Sequence, residues 1–352
     1  MGNIWSQSAW VTSPPLTENN ISDQSGKVFI ITGANSGAGF QLAKILYGVN
    51  AHVYLACRSE TRVNRAIRLL EAWFPDSKGI LTWLPLDLAN LDSIKPAAEH
   101  FLRMEKRLDV LWNNAGTLLP QISKSKQGYD LQMSTNTLGH YLLTRLLHPI
   151  LKKTAESAPA NSVRVCWASS IAADFSPEGG IDMDDLGVPI PSRNMWINYC
   201  ISKAANNLLA SEFGKQWGGD NILHIVCINS HVFVDTTLSG FWCINRPKAF
   251  NPGNLDTNLT RNVIPLYLQS IGLYLQAVAL WPPRYGAYTE LYAGLSPNLN
   301  IEQNSGAQIW PWGCVGYLRP DIEDSFRSED EGGSGKAAKF WTWCAQETLS
   351  FS

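Results

Sequence analysis

Charge is scarce in this chain. Lys and Arg number 28 and Asp and Glu 30 in 352 residues, for a formal net charge of -2. No basic stripe stands out, so the electrostatic footprint of a nucleic-acid binder is missing. The seven cysteines, at positions 57, 166, 200, 227, 243, 314 and 344, form no Cys-x-x-Cys pair. Their odd number and scatter argue against a disulfide framework and a zinc site. Several sit in apolar runs (Leu55-Ala-Cys57, Arg164-Val-Cys166, Ile225-Val-Cys227), as reduced, buried thiols do; a cytoplasmic location is the expectation. Residues 1–23 lack a basic stretch followed by an apolar one, so no secretory signal is read. Without it the glycosylation triplet Asn20-Ile-Ser22 carries no weight. No Gly-x-Ser-x-Gly elbow supports a serine hydrolase, and no His and Cys ligands cluster for a catalytic metal. One long apolar run exists, Val263 to Trp281. At about 19 residues it reaches the length of a membrane span. Gln269 and Gln276 interrupt it and Pro282-Pro283 ends it, so no stable span is expected. A helix covering an apolar substrate pocket is the better reading.

What is there begins with Lys27-Val-Phe-Ile-Ile-Thr-Gly-Ala-Asn-Ser-Gly-Ala-Gly39. A buried strand, Val28 to Ile31, runs into a glycine turn and then a helix carrying Phe40, Leu42, Ala43, Ile45 and Leu46. Gly33, Gly37 and Gly39 let the backbone turn tightly and approach a ligand. The helix start offers free N–H groups and the positive dipole end, a seat for a pyrophosphate. The spacing differs from Gly-x-Gly-x-x-Gly, and a tight turn with no ligand is the bland alternative.

Strand, helix, strand and helix then alternate. Ala51 to Cys57 reads as strand two, closed by Arg58. An acidic residue about 20 positions beyond the glycine turn would bind the adenosine ribose, whereas an arginine accommodates a 2′-phosphate. Arg58 therefore favours NADP(H) over NAD(H), against the alternative of a solvated loop residue. A helix (Val63 to Trp73) leads to strand three (Ile80 to Leu84) and Asp87, which can receive an adenine amino group or cap the next helix. After a helix over Ile94 to Met104, strand four (Leu108 to Trp112) enters Asn113-Asn-Ala-Gly116, small and amide residues that suit packing beside a cofactor. The expectation is one Rossmann-type, doubly wound parallel sheet with helices on both faces. Its ligand crevice would lie beyond the strand carboxyl ends.

A long helix follows, core Leu131 to Leu147, with Asn136 inside it. Asn is a poor helix former; it could bend the helix by bonding the backbone or hold a water. Strand five, Ser162 to Ala168, ends in Ser169-Ser170. After a loop over Asp174 to Asn194, Tyr199-Cys-Ile-Ser-Lys203 opens a helix. Tyr199 and Lys203 are four apart and share a helix face. An ammonium beside a phenol lowers the phenol pKa, and a phenol so tuned exchanges a proton with a carbonyl or alcohol oxygen. Such a pair alone is more often a surface pair; together with the preceding features coincidence becomes improbable.

With these residues in hand the chain resembles the short-chain dehydrogenases/reductases. The match runs over about residues 26–225 and resumes near 251. It rests on Thr32-Gly33-x-x-x-Gly37-x-Gly39, Asn113-Asn-Ala-Gly116, Asn136, Ser170 and Tyr199-x-x-x-Lys203. Val53-Tyr-Leu-Ala-Cys-Arg58 and the C-terminal half look like the retinol-dehydrogenase-like branch, especially reductases of fungal secondary metabolism. The resemblance implies Tyr199 as acid/base and Lys203 as the group that lowers its pKa and holds the nicotinamide ribose. It also implies Ser170 as hydrogen-bond donor to the substrate oxygen and Asn136 as holder of a proton-relay water. The implied cofactor contacts are Gly33, Ser36, Gly37, Ala38, Gly39, Arg58, Asp87, Asn114, Tyr199, Lys203, Gly253, Leu255 and Thr257. The implied activity is NADP(H)-dependent interconversion of a ketone or aldehyde and an alcohol on an apolar small molecule. Family members often form dimers or tetramers, which leaves a homo-oligomer open. Ala38 replaces the usual Ile of the glycine turn, and Ala173 stands where Gly often follows the serines; neither change removes a chemical group.

A larger departure follows strand six, Ile222 to Cys227. The family places a Pro-Gly turn almost at once, but here Asn251-Pro-Gly-Asn-Leu-Asp-Thr257 comes about two dozen residues late. Loop closure entropy grows only logarithmically with length, yet a core strand end beside a cofactor is an awkward place for an insertion. Residues 228–250 are read as an atypical loop or as translated non-coding sequence, the second preferred. A catalytically impaired, nucleotide-binding sensor or scaffold is the alternative function; intact Ser170, Tyr199 and Lys203 speak against it. The domain reading is an irregular leader (1–25) and one domain (26–352) with a substrate-covering region at about 258–300. Tyr285 to Gly294 reads as a helix ending at Gly294, Gly306 to Val315 as a last strand and turn, 322–335 as a polar loop, and Lys336 to Leu349 as a closing helix.

Overall fold

The computed structural model describes residues 13–228 and 282–352. The chain order is β1 (Val28–Thr32), α1 (Gly37–Gly48), β2 (His52–Cys57), α2 (Glu60–Trp73), β3 (Ile80–Pro85), α3 (Ile94–Met104) and β4 (Val110–Asn113). The next helix comes in three pieces: α4 (Leu131–Met133), a π-helical turn Ser134–Leu138, and α5 (Gly139–Ala155). Then follow β5 (Val163–Ser169), α6 (Met195–Gln216), β6 (Ile222–Ile228), α7 (Pro283–Leu295), α8 (Ile301–Asn304), β7 (Gln308–Trp310), β8 (Cys314–Val315), α9 (Pro320–Asp324) and α10 (Lys336–Thr348).

The strands form one sheet in the order β3-β2-β1-β4-β5-β6-β7-β8. Every pairing is parallel except the edge pair β7–β8. Strands β1, β4, β5 and β6 are buried along their whole length, which is why they are mostly apolar rather than alternating, with Arg164 in β5 and His224 in β6 as buried exceptions. One face packs Phe29, Ile31 and Val53 against Leu42 of α1, Val63 of α2 and Leu291 of α7. The other packs Ile30, Leu111 and Val165 against Phe101 of α3, Leu142 of α5, Leu208 of α6 and Phe340 of α10. This is the doubly wound, Rossmann-type arrangement expected. The winding reverses between β1 and β4, and a ligand crevice opens at such a switch point beyond the strand carboxyl ends.

Several boundaries differ from the sequence reading. Helix α6 begins four residues before Tyr199, because the Asn194 side chain accepts the Trp196 N–H at 2.9 Å and caps it. Gly294 does not end α7, which runs on to Leu295. A Cβ at Gly294 would collide with the Trp112 indole, whose Nε1 donates to Glu290 O at 2.9 Å. The polar stretch 322–335 is helical at its start, since Pro320 sits in the first turn of α9 where its missing N–H costs nothing. Residues 1–12 of the leader, the insertion beyond Ile228, the Asn251 to Thr257 turn with Gly253, Leu255 and Thr257, and the Val263 to Trp281 run lie outside the described residues. Among the described residues no helix is long and apolar enough to cross a membrane. Cys57, Cys166, Cys200, Cys227 and Cys344 are buried thiols.

Candidate active site

The site begins where β1 stops. Gly33 takes φ +71°, a conformation other residues adopt only with strain. Ser36 precedes α1 in extended conformation and makes no side-chain cap, and no acidic residue stands in the first turn. The opening N–H groups of Gly37, Ala38 and Gly39 thus receive no side-chain cap from Ser36, and uncapped N–H groups at a helix start favour an anion. The segment after β4 is fitted closely against this turn. Asn114 Nδ2 donates to Thr32 O at 2.7 Å, and Ala115 N donates to Thr32 Oγ1 at 2.8 Å. A Cβ at Gly39 would fall on Asn114 Nδ2, and one at Gly33 would lie 3.1 Å from Ala115 Cα. These glycines serve the packing of Asn114 and Ala115 as well as any ligand.

Arg58 stands just past β2, its side chain 74% exposed and its Nη1 3.9 Å from Asp87 Oδ2. A long, solvated pair of this kind contributes little to stability, so the guanidinium can turn to another anion. Asp87 follows the neighbouring strand and accepts the Ala89 N–H at 3.1 Å. The two side chains flank the same end of the sheet.

The expected proton-transfer residues converge at the ends of β4 and β5. Tyr199 is fully buried, and its hydroxyl has no hydrogen-bond partner among the described residues. Burial raises its pKa, with the neighbouring Ser170 opposing. That differs from the expectation that Lys203 sets a lowered value: helical spacing reports proximity, but desolvation dominates here. Lys203 Nζ lies 5.7 Å from the Tyr199 ring centre and donates to Ala168 O at 3.1 Å. Burial lowers its pKa to about 8, opposed by the Glu290 carboxylate. Of the serine pair, Ser169 is structural: its Oγ donates to Lys203 O at 2.8 Å. Ser170 Oγ accepts the Ala172 N–H at 3.2 Å and neighbours Tyr199.

Of the two alternatives for Asn136, its side chain does not take the first, a bond to its own helix backbone. It lies in the π turn, and its amide reaches across to the loop after β4. Its Oδ1 accepts Thr117 N at 2.7 Å, while Nδ2 donates to Thr117 O at 3.1 Å and to Ser202 Oγ at 2.9 Å. Both amide hydrogens are used, so a relay water here would have to be held by an oxygen lone pair. Gly116 is where the groups meet: a Cβ there would lie 3.3 Å from Lys203 Nζ and 3.5 Å from Asn136 Oδ1. Leu118, Ala172, Tyr199 and Cys200 form an apolar cluster apart from the two main cores, with Met195 and Trp196 packed on it. The Trp196 indole stacks on the Tyr199 ring at 5.7 Å.

Comparison with known proteins identifies the family. The family described as short chain dehydrogenase matches residues 27–175. A short-chain dehydrogenase/reductase of Phomopsis amygdali is 42% identical over 351 residues, spanning 99% of this chain and 97% of that protein. The chain belongs to the short-chain dehydrogenase/reductase family. Two solved structures share its fold. One, of Pseudomonas aeruginosa, is described as an RhlG/NADP active-site complex; its TM-score is 0.55 at 21% identity, over 79% of this chain and 94% of that one. The other is a 3-ketoacyl-(acyl-carrier-protein) reductase of Brucella melitensis complexed with NADH, with a TM-score of 0.56 at 19% identity over 81% and 96%.

As a short-chain dehydrogenase/reductase the chain is an oxidoreductase. Ala38 and Ala173, the two small departures, are both buried, and Ala173 N donates to Ser170 O at 3.0 Å. Sequence reading missed the residues that join the parts. Thr32, His140, Thr137 and Ser202 are fully buried polar side chains on the glycine-turn strand, the long helix and α6. The available signal was a His four residues after Asn136 on the same helix face.

Proposed function

We propose that this chain is an NADP(H)-dependent reductase, or a dehydrogenase in the reverse direction, that interconverts a ketone or aldehyde and an alcohol on an apolar small molecule in secondary-metabolite biosynthesis. The observation that carries this reading is the meeting of Tyr199, Ser170, Lys203 and Asn136 beside the glycine turn, with the Tyr199 hydroxyl buried and unpartnered. The residues present fit a dinucleotide: uncapped N–H groups at Gly37 to Gly39 face the pyrophosphate position, with Asp87 toward an adenine. Arg58, exposed and weakly paired, would hold the 2′-phosphate. When bound, the nicotinamide supplies or accepts the hydride.

The chain's own residues handle the oxygen. Ser170 donates a hydrogen bond to the carbonyl oxygen and orients it. Tyr199 gives that oxygen a proton as the carbon takes the hydride; in the reverse direction Tyr199 takes the proton from the alcohol. Lys203 stabilises the phenolate left behind and would hold the nicotinamide ribose. Asn136 holds the loop at Thr117 and the helix at Ser202 in register around these groups. The apolar cluster of Leu118, Ala172, Met195 and Trp196 is the reason for an apolar substrate, because a polar one would lose its hydration there without partners.

Fluorescence titration of the purified chain with NADPH and NADH tests the cofactor reading. NADPH is expected to bind at least about tenfold more tightly, a difference of about 1.4 kcal/mol, and Arg58→Ala to remove that preference while sparing NADH. Equal affinities, or an Arg58→Ala variant with unchanged preference, contradict it.

A further inference from the structure

Thr32 and Asn136 belong to different parts of the site, and one buried side chain spans the gap between them. His140 Nδ1 lies 3.0 Å from Asn136 O, and its Nε2 lies 2.9 Å from Thr32 Oγ1. The hydrogen-bond accounting fixes every proton. A carbonyl oxygen can only accept, so Nδ1 carries the ring hydrogen. In the neutral imidazole Nε2 must then accept, and the Thr32 hydroxyl donates to it. That hydroxyl receives the Ala115 N–H at 2.8 Å; its other nearby acceptor, Trp112 O, is farther off at 3.3 Å. Burial, helped by the charge of nearby Lys203, lowers the His140 pKa to about 4, so the neutral form persists at ordinary pH.

From Asn136 the chain of bonds continues. Asn136 Nδ2 donates to Ser202 Oγ at 2.9 Å, and Ser202 Oγ donates to Tyr199 O at 2.7 Å. Thr137 Oγ1 adds a second tie, to Ser202 O at 2.9 Å. Each link is fully buried, and such networks transmit displacement because their members have no water to fall back on. The π turn is where a helix ladder is locally loosened, so its position depends on side-chain ties like this one.

We infer that His140 is a positioning residue that couples the nucleotide turn at Thr32 to the Tyr199–Lys203 turn through the π-helical Asn136 segment. It touches neither substrate nor cofactor. Occupation of the glycine turn fixes Thr32, His140 fixes the Asn136 carbonyl, and Ser202 carries that placement to the Tyr199 backbone. The inference rests on the nucleotide reading above.

Hydrogen exchange of the full chain with and without NADPH tests it. In the parent, NADPH is expected to slow exchange in residues 33–41 and also, by roughly threefold or more, in residues 134–141. In His140→Asn, whose amide still reaches the Asn136 carbonyl but not Thr32, the first effect should persist and the second disappear. His140→Leu should behave the same way. Turnover adds a second readout: both variants should lose kcat with little change in the KM for NADPH. Two outcomes overturn the coupling: protection of 134–141 that survives in His140→Asn, or its absence in a parent whose 33–41 segment is protected. If neither NADPH nor NADH protects 33–41 in the parent, the nucleotide reading itself fails and the coupling falls with it.

Discussion

The Lys203 ammonium lies 5.7 Å from the centre of the Tyr199 ring and is held by Ala168 O at 3.1 Å, with the hydroxyl of Tyr199 unpartnered. A buried hydroxyl without a partner costs stability, on the order of 1–3 kcal/mol. Such groups call for an explanation, and a chemical role is one. Replacing Tyr199 by Phe removes the orphan at nearly constant volume. The variant is expected to unfold at higher denaturant concentration than the parent, by about 1 kcal/mol. A lower midpoint would mean that the hydroxyl is satisfied in the folded protein.

Lys203 makes stability depend on pH. Its folded-state pKa, about 8, lies below its ordinary value of 10.5. Between those two values the unfolded chain holds a proton that the folded chain has released, so stability from this group rises with pH through that window. The penalty of burying the charge is fully present below it. Lys203→Met removes the penalty, so its advantage over the cofactor-free parent should shrink between about pH 8 and 10.5 by roughly 3 kcal/mol at most. Denaturant titrations of both proteins across this range measure it, and parallel pH profiles would refute the assignment.

Gly39 sits inside α1, where Ala would ordinarily gain about 1 kcal/mol. Its added Cβ would meet Asn114 Nδ2, which is itself bonded to Thr32 O at 2.7 Å. The clash should win. Gly39→Ala is expected to be destabilised by about 1–3 kcal/mol and to bind NADPH more weakly. Unchanged thermal unfolding and affinity would show that Asn114 yields freely.

Much of this organisation was legible because the strands are buried on both faces. Val28 to Ile31 announces itself as an apolar run, the glycine turn marks where it ends, and Val163 to Ala168 is apolar but for Arg164. Tyr199 and Lys203 were found by their helical spacing taken together with the glycine turn, Asn113 to Gly116, Asn136 and the serine pair. What spacing could not report was environment. The pKa of Tyr199 is governed by burial, which depends on elements far apart in sequence. The partners of Asn136, Thr117 and Ser202, lie 19 and 66 positions away, so its role as a cross-tie left no local mark. The Asn194 cap was hidden at the end of a loop rich in Gly, Pro and Asp.

Residues 228–250 carry a separate prediction. If they are translated non-coding sequence, peptides from the native protein should flank the segment without covering it. A peptide lying wholly within 231–245, found by mass spectrometry, establishes the insertion as genuine protein.

The central claim is that Tyr199 passes the proton while hydride moves between NADP(H) and a carbonyl carbon. The direct measurement is NADPH oxidation by the purified chain with a panel of apolar ketones and aldehydes, run beside Tyr199→Phe, with NADPH affinity measured for both. The account predicts one alcohol formed per NADPH consumed in the parent. It predicts a loss of about 10²–10⁴-fold in kcat for the variant, with nucleotide affinity little changed. Turnover in Tyr199→Phe equal to that of the parent would contradict it.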